Sequence, residues 1–259
     1  MKKMCNQRKC KLCGGIFLEN EMSEEHYPAR NTGNDDVVAV DLKKYFDYLT
    51  DQSKLQEVRN KLNKGESIEK IAGDIFDNEM ATSIFPNGRT ARTLCRDCNT
   101  FLGKYDEAYL KFYKKDGAPE AIKGFQKQTK LNIIKAIFAK FLSIPEANDE
   151  NFDFIDFIRN EQAENYDGEW KLYFVKRSIK TDILGLPDLQ TGKLNFDQGI
   201  VYEFSDHKFI FDLINFKKPD RFEMTNIFDI LERNYKLISD LGSIGGFHSQ
   251  IIMQNIFKW

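Results

Sequence analysis

The strongest constraint on the fold of this chain is a pair of cysteine motifs with the same spacing, placed far apart in the sequence. Cys10-Lys11-Leu12-Cys13 lies near the start, and Cys95-Arg96-Asp97-Cys98 comes much later. A C-x-x-C turn directs two sulfurs at a common point, and two such turns complete the tetrahedral ligand set of Zn²⁺. The spacing therefore predicts that the two motifs meet in the folded chain around a zinc ion.

The composition supports a metal site in preference to disulfide chemistry. The hydrophobic fraction of 41% and the charged fraction of 30% are typical of a soluble globular protein. No apolar run approaches the ~18 residues of a membrane-spanning helix, and the first residues lack the apolar stretch of a signal peptide. We therefore expect a cytoplasmic location with no membrane contact, where disulfides are rare.

Three interpretations of the cysteines remain open at this point: ordinary thiols, a redox pair and a zinc site. Two matched pairs, with Gly14-Gly15 directly after the first, favour zinc at Cys10, Cys13, Cys95 and Cys98, while Cys5 has no partner in this pattern. Four thiolates would fill every coordination position, so no water could bind the ion and be activated. Such a zinc would be structural and not catalytic.

The charge pattern gives an ambiguous signal for a nucleic-acid partner. The net charge of −2 and the pI of about 6.0 argue mildly against one. However, residues 89–140 contain twelve Lys and Arg against five acids, whereas residues 145–170 contain nine acids and one base. The basic stretch is either a solvated helix face or a surface for a polyanion.

Hydrophobic periodicity predicts an α+β fold class and a division of the chain near residue 145. Residues 37–85 show helical spacing interrupted at Lys64-Gly65-Glu66-Ser67, which predicts two or three short helices. Further helices are predicted over 128–144 and 227–241, and strands over 170–175, 200–204 and 209–216. The predicted domains are 1–145, with a helical insertion at about 37–85, and 146–259.

The chemically suggestive side chains lie beside the cysteine motifs. Glu25-His26 stands in a polar segment between the two motifs, and Asn99 directly follows the last cysteine. Histidine is scarce, with His207 and His248 as the other two. A lone histidine is usually structural, but the position of His26 between the two cysteine motifs makes it a candidate functional residue.

Taken in order, C-x-x-C, Glu-His-x-x-Pro, Leu-Cys-x-x-Cys-Asn and Gly-x-x-Asp resemble the HNH endonucleases with a zinc-bound ββα-metal fold, the endonuclease VII type of phage recombination among them. The resemblance covers about residues 8–110, with 37–85 as an insertion. It implies a zinc-stapled nuclease domain over 1–145. The mixed α/β C-terminal domain over 146–259 would then serve substrate recognition, dimerisation or partner docking.

The resemblance also implies roles for particular residues. His26 would deprotonate the attacking water, while Glu25 and the carbonyl oxygen of Asn99 would hold a catalytic Mg²⁺ or Mn²⁺. Asp106, in Gly103-x-x-Asp106, falls where related sequences often carry an acid, and its role is open. Thr90 stands where many of these sequences have an Asn or His, which is one departure from the pattern.

The resemblance further suggests a substrate and partners. DNA is favoured over RNA as the substrate, in a phage, restriction or phage-defence setting, with a homodimer or a defence-system ATPase as protein partner. Basic residues that flank the second cysteine motif are the candidate phosphate contacts: Arg89, Arg92, Arg96 and Lys104. The alternative function is a non-catalytic zinc module that binds nucleic acid or protein. This alternative leaves Glu25, His26 and Asn99 without a role.

Overall fold

The computed structural model describes residues 7–178, 189–239 and 247–257, and these form a mixed α+β architecture, which confirms the predicted class. Cys5 lies outside the described residues. The helices of the described part are α1 (Leu42–Thr50), α2 (Gln52–Asn63), α3 (Ile68–Ile75), α4 (Arg96–Lys114), α5 (Lys127–Phe141), α6 (Ile155–Arg159) and α7 (His248–Phe257). No helix in these ranges combines the length and the apolar character that crossing a membrane requires.

The strands form one five-stranded sheet and three two-stranded sheets among the described residues. The strands are β1 (Gln7–Lys9), β2 (Ile16–Leu18), β3 (Glu25–His26), β4 (Val37–Val40), β5 (Ala81–Phe85), β6 (Thr90–Ala91), β7 (Lys171–Lys176), β8 (Thr191–Phe196), β9 (Gly199–Ser205), β10 (Phe209–Ile214) and β11 (Thr225–Asn226). The large sheet is antiparallel with the order β11-β7-β10-β9-β8, while β1 pairs with β2, β3 with β6, and β4 with β5. The strand predictions for β7, β9 and β10 are confirmed.

The chain divides into two compact units, and the smaller one is Asp35–Gly88. It covers the stretch predicted as a helical insertion and contains α1, α2 and α3, with the predicted break between α2 and α3. The side chains of Asp41, Asp51 and Ser67 cap these helices by accepting hydrogen bonds from backbone N–H groups of the first turn. Strand β4 precedes the three helices in the sequence and its partner β5 follows them; this pair of strands was not predicted.

The larger unit comprises Met1–Asn34 and Arg89–Trp259. Its hydrophobic core joins residues from both sides of residue 145, where the sequence placed a domain boundary. The ring of Phe141 on α5 lies 4.9 Å from that of Phe204 on β9, and Phe112 on α4 stacks on Phe209 of β10 at 5.9 Å. The boundaries between the two compact units therefore lie after Asn34 and before Arg89, and α4, α5 and the large sheet share one core.

The predicted helix over 227–241 is wrong for the residues that the structure describes there. Only Ile227–Asp229 makes a single 3₁₀ turn. The backbone beyond it instead forms hydrogen bonds with strands of the large sheet. Lys176 donates its N–H to Ile238 O at 2.9 Å, and the Thr225 hydroxyl donates to Lys236 O at 2.9 Å. By contrast, the helix predicted over 128–144 is confirmed as α5, which begins at Lys127 and ends at Phe141.

Candidate metal centre and active site

The first cysteine pair lies in the turn of the β1–β2 hairpin. The N–H of Cys10 donates to Gly15 O at 2.8 Å, and the N–H of Gly14 donates back to Cys10 O at 2.9 Å. Gly14 has φ of 76°, a left-handed conformation that glycine adopts without a steric penalty. This turn brings the two sulfurs of the motif to the same side of the hairpin end.

The second pair begins helix α4, where Cys95 is the N-cap and Cys98 lies in the first turn. Two hydrogen bonds join it to the hairpin: Lys11 N–H to Thr93 O at 2.9 Å, and Cys95 N–H to the sulfur of Cys10 at 3.3 Å. All four cysteine sulfurs lie within 4.8 Å of one another. In a tetrahedral zinc site with Zn–S bonds of about 2.3 Å, the sulfurs are about 3.8 Å apart, so small shifts suffice.

The protonation preferences of these thiols fit a cation site. Burial opposes ionisation of Cys10, but backbone N–H groups of Cys13, Cys95 and Leu12 lower the pKa of its thiol. Burial and the neighbouring sulfurs raise the pKa of Cys98 well above its ordinary value, because four crowded thiols cannot all ionise without a cation. The four cysteines could therefore hold a metal ion such as zinc, which deprotonates its thiol ligands on binding.

Strand β3 carries Glu25 and His26 and pairs with β6, so that Glu25 faces Ala91 and His26 faces Thr90. The chain then enters α4 a few residues after β6. Asn99 in the first turn of α4 donates its side-chain amide to the hydroxyl of Ser23 at 2.7 Å, two residues before Glu25. The fold thus places Asn99 next to the segment that leads into Glu25-His26, and the carbonyl oxygen of its side chain is the atom suited to a cation.

Asn34 is a buried residue that no sequence motif singled out. Its amide donates to Pro28 O at 2.7 Å and to Arg89 O at 2.9 Å, and its carbonyl oxygen accepts from the N–H of Arg89 at 2.6 Å. Arg89 O also accepts from the N–H of Tyr27 at 3.3 Å. One side chain therefore joins the segment after His26 to the start of β6.

Glu25 is buried, and its carboxylate pairs with Lys140 on α5. The same ammonium group also contacts Asp106 on α4 at 3.1 Å. Burial opposes the charge of the lysine, but Asp106 and Glu25 together raise the pKa of Lys140 above its ordinary value. The sequence pattern missed Lys140 because a lysine on an amphipathic helix ordinarily indicates a solvated face.

The structure assigns partners within the chain to each candidate phosphate contact. Arg92 pairs with Glu24 at 2.7 Å, Lys104 pairs with Glu161 at 2.5 Å, and Arg96 donates to Asn20 O at 2.9 Å. Arg89 approaches the hydroxyl of Thr191 at 3.5 Å. Arg92, Arg96 and Lys104 keep exposed side chains on the surface near the second cysteine motif.

The other two histidines have packing roles. His248 is fully buried and its Nδ1 lies 2.8 Å from the carboxylate of Glu203. His207 lies in the turn between β9 and β10, where its backbone N–H donates to Thr32 O at 3.1 Å. His26 differs from His248 because its side chain is partly exposed to solvent.

Comparison with protein-family models, curated proteins and solved structures returned no match to this chain. A metal ion needs several Cys, His, Asp or Glu side chains close together. Among the described residues, the four cysteines form such a cluster of three or more. Glu25 and Asn99 together offer a carboxylate and an amide oxygen, which is the donor chemistry of a hard cation. One carboxylate oxygen of Glu25 is already paired with Lys140.

Proposed function

We propose that this chain is a metal-dependent HNH endonuclease that hydrolyses phosphodiester bonds, with DNA favoured over RNA. One observation carries the proposal: strand β3 pairs with β6 across the insertion, and helix α4 follows β6, so that the three form a β-β-α unit with Glu25-His26 on the first strand and Asn99 at the start of the helix. The four-cysteine cluster joins the same helix to the β1–β2 hairpin. This is the order of parts in the ββα-metal fold, to which the sequence motifs are similar.

In this proposal, His26 acts as the general base. Imidazole is the side chain most often used to take a proton from water in enzymes that work near neutral pH. Glu25 and the side-chain oxygen of Asn99 would hold a Mg²⁺ or Mn²⁺ ion, which when bound stabilises the charge on the phosphate and on the leaving 3′-oxygen. The pairing of β3 with β6 fixes the backbone on which His26 is presented.

The zinc and the catalytic cation have separate tasks in this scheme. Four thiolates complete the coordination of a zinc ion, so it would hold the hairpin against α4 and leave no position for water. Chemistry would take place at Glu25, His26 and Asn99, and Asn99 directly follows Cys98 in the first turn of α4.

Phosphate binding is assigned to exposed cations near this site. The pair of Arg92 and Glu24 is solvent-exposed, and water and salt screen such pairs so that they contribute little to stability. A phosphate group can therefore displace Glu24 from Arg92 at little cost, and the same holds for the exposed pair of Lys104 and Glu161. These contacts would position the nucleic acid backbone without selecting a base sequence.

The test is cleavage of supercoiled plasmid in Mg²⁺ or Mn²⁺ by the wild-type protein and by His26→Ala. Removing a general base lowers rates by about 10²–10⁴-fold, so we expect nicking or linearisation that His26→Ala loses. The variant should keep its zinc and its circular dichroism spectrum. Thr90→Ala, which changes the exposed residue opposite His26, is the matched control and should retain cleavage.

The second candidate function is a zinc module that binds nucleic acid or protein without cutting, and the four-cysteine cluster is compatible with it. It predicts that neither wild type nor His26→Ala converts plasmid, branched DNA or RNA in either metal. That result, obtained with zinc-loaded and folded protein, would replace the endonuclease proposal. Stoichiometric zinc would also eliminate a thiol redox function.

A further inference from the structure

The ion-pair group formed by Glu25, Lys140 and Asp106 contains more negative than positive charges. Lys140 carries one positive charge, while Glu25 and Asp106 carry two negative charges in contact with it. The side chains of Lys140 and Glu25 are each only 7% exposed, whereas that of Asp106 is 31% exposed. Asp106 is thus the member of the group that water reaches, and Glu25 depends on Lys140 for its neutralisation.

This arrangement conflicts with a cation on Glu25 if nothing moves. A divalent ion bound to that carboxylate would stand close to the ammonium of Lys140, and like charges repel strongly at buried positions. Lys140 already has a second carboxylate within reach, since Asp106 lies 3.1 Å from its nitrogen. The ammonium can therefore leave Glu25 and remain paired.

We infer that Lys140 is a resident counter-ion of the proposed cation site and that Asp106 retains it when Glu25 turns to the cation. Lys140 neutralises Glu25 while no cation is bound and so keeps the buried carboxylate from being left unpaired. The inference rests on the proposed function and concerns the regulation of the same site. Lys140 and Asp106 are positioning residues here, because they act through Glu25.

The inference predicts opposite effects of two neighbouring substitutions on cation affinity. Lys140→Met removes the competitor of the cation and should tighten Mn²⁺ binding. Asp106→Asn removes the alternative partner of Lys140 and should weaken Mn²⁺ binding, because the ammonium then stays on Glu25. A role in stability alone would not produce shifts of opposite sign, since both changes break the same ion-pair network.

The experiment measures Mn²⁺ dissociation constants by electron paramagnetic resonance on the full-length, zinc-loaded protein. We expect shifts of about tenfold or more in each direction, the order that one unit charge produces at contact distance. Lys140→Arg keeps the charge and should not tighten binding. Lys135→Met is the matched control, because Lys135 is also buried on α5 but donates to the carbonyl of Asn160 and not to an acid.

The double variant Lys140→Met with Asp106→Asn separates a positioning role from direct ligation by Asp106. Without Lys140, loss of the Asp106 carboxylate should change the Mn²⁺ affinity less than it does in the wild-type background. An equal or larger loss in the double variant would make Asp106 a cation ligand and overturn the inference. Binding that is unchanged, or that weakens in both single variants, would also overturn it.

Two further outcomes complete the test. If Lys140→Met does not fold, the Mn²⁺ affinity of Asp106→Asn tests the inference. Unchanged or tighter Mn²⁺ binding in that variant overturns it. Wild-type protein that cleaves plasmid while its variants show none of these shifts leaves the endonuclease proposal standing and removes only the role of Lys140. Wild-type protein that neither binds Mn²⁺ nor cleaves overturns both.

Discussion

Asn34 illustrates at the residue scale how backbone groups near the candidate site are satisfied. Its side chain is fully buried and makes three hydrogen bonds to main-chain atoms of Pro28 and Arg89. A buried carbonyl or N–H without a partner costs about 1–3 kcal/mol. The Asn34 amide can satisfy two carbonyl oxygens and one N–H group together, because it carries both a donor and an acceptor.

We expect Asn34→Asp to destabilise the protein by about 3 kcal/mol, because the aspartate still accepts from Arg89 N–H but cannot donate to the two carbonyls. Urea unfolding of the variant and the wild type measures the difference. Asn60→Asp, on the exposed surface of α2, is the control and should stay within about 0.5 kcal/mol of wild type. Equal stability of Asn34→Asp and wild type would show that these bonds contribute little.

Asp206 is a second buried residue with a measurable consequence, here for pH dependence. It is fully buried, accepts the hydroxyl of Tyr109 and receives the N–H groups of Lys208 and Phe209, both at 2.8 Å. Burial dominates these hydrogen bonds and raises the pKa of Asp206 to about 6. The native state therefore binds a proton more tightly than the unfolded chain does.

The sign of this effect is fixed by linkage. A carboxyl group with a raised native pKa stabilises the fold at low pH, and this contribution disappears as the pH rises from about 4 to about 6. The full loss corresponds to about 3 kcal/mol. Asp206→Asn keeps the acceptor for both N–H groups and removes the titration, so its stability profile should be flatter over that window. Chemical denaturation at several pH values tests this, and parallel profiles for variant and wild type would contradict it.

At the scale of elements, the segment that follows His26 is supported by the large sheet. Residues Arg30–Thr32 form a 3₁₀ turn, and the N–H of His207 in the β9–β10 turn donates to Thr32 O at 3.1 Å. Gly33 ends the turn with φ of 107° and packs under the His207 ring. The segment after His26 thus contacts a turn that lies more than 170 residues later in the sequence.

Gly33→Ala should destabilise the protein by about 2–4 kcal/mol for two reasons, an unfavourable φ and a steric clash. A Cβ at this position would lie 2.3 Å from Cγ of His207. Adding His207→Ala should recover the steric part but not the backbone part. Thermal unfolding of the single and double variants separates the two, and a harmless Gly33→Ala would show that the segment can move away from the sheet.

The same elements show what the sequence could predict. Apolar spacing was sufficient for α5 and for the central strands, because each is a predominantly apolar run that the fold buries: residues 133–141 of α5 and all six residues of β10 are buried. It failed over 227–239, where an equally apolar pattern pairs with the edge of the sheet instead of coiling. Lys140 was missed for a related reason: its partners, Glu25 and Asp106, are distant in sequence, and only packing of α5 against α4 reveals them.

For the molecule as a whole, Asn34 and Arg89 mark the two places where the chain leaves and re-enters the larger unit. The N–H of Arg89 lies 2.6 Å from the Asn34 side chain, so the two ends of Asp35–Gly88 are adjacent. A short linker can therefore replace the smaller unit without stretching the larger one. The sequence predicted this insertion from its helical spacing, but not the proximity of its ends.

We expect a variant in which a short Gly-Ser linker replaces residues 35–88 to fold and to bind zinc with the stoichiometry of the full chain. All four cysteines and the large sheet remain in this variant. Zinc analysis and cooperative thermal unfolding are the measurements. A variant without cooperative unfolding or zinc would show that the smaller unit is needed for folding, and Asn34→Asp in the full chain provides the comparison for damage at the junction alone.

The distance along the chain between the two cysteine pairs also determines when the four-cysteine cluster can form during translation. Cys13 and Cys95 are 82 residues apart, yet their sulfurs lie 4.0 Å apart in the folded protein. At translation rates of about 5–20 residues per second, the first pair waits roughly 4–16 s for the second to be made. During most of that interval β3, which carries His26, also lacks its partner β6. A nascent chain therefore has neither the four-cysteine cluster nor the β3–β6 pair until translation has passed Cys98.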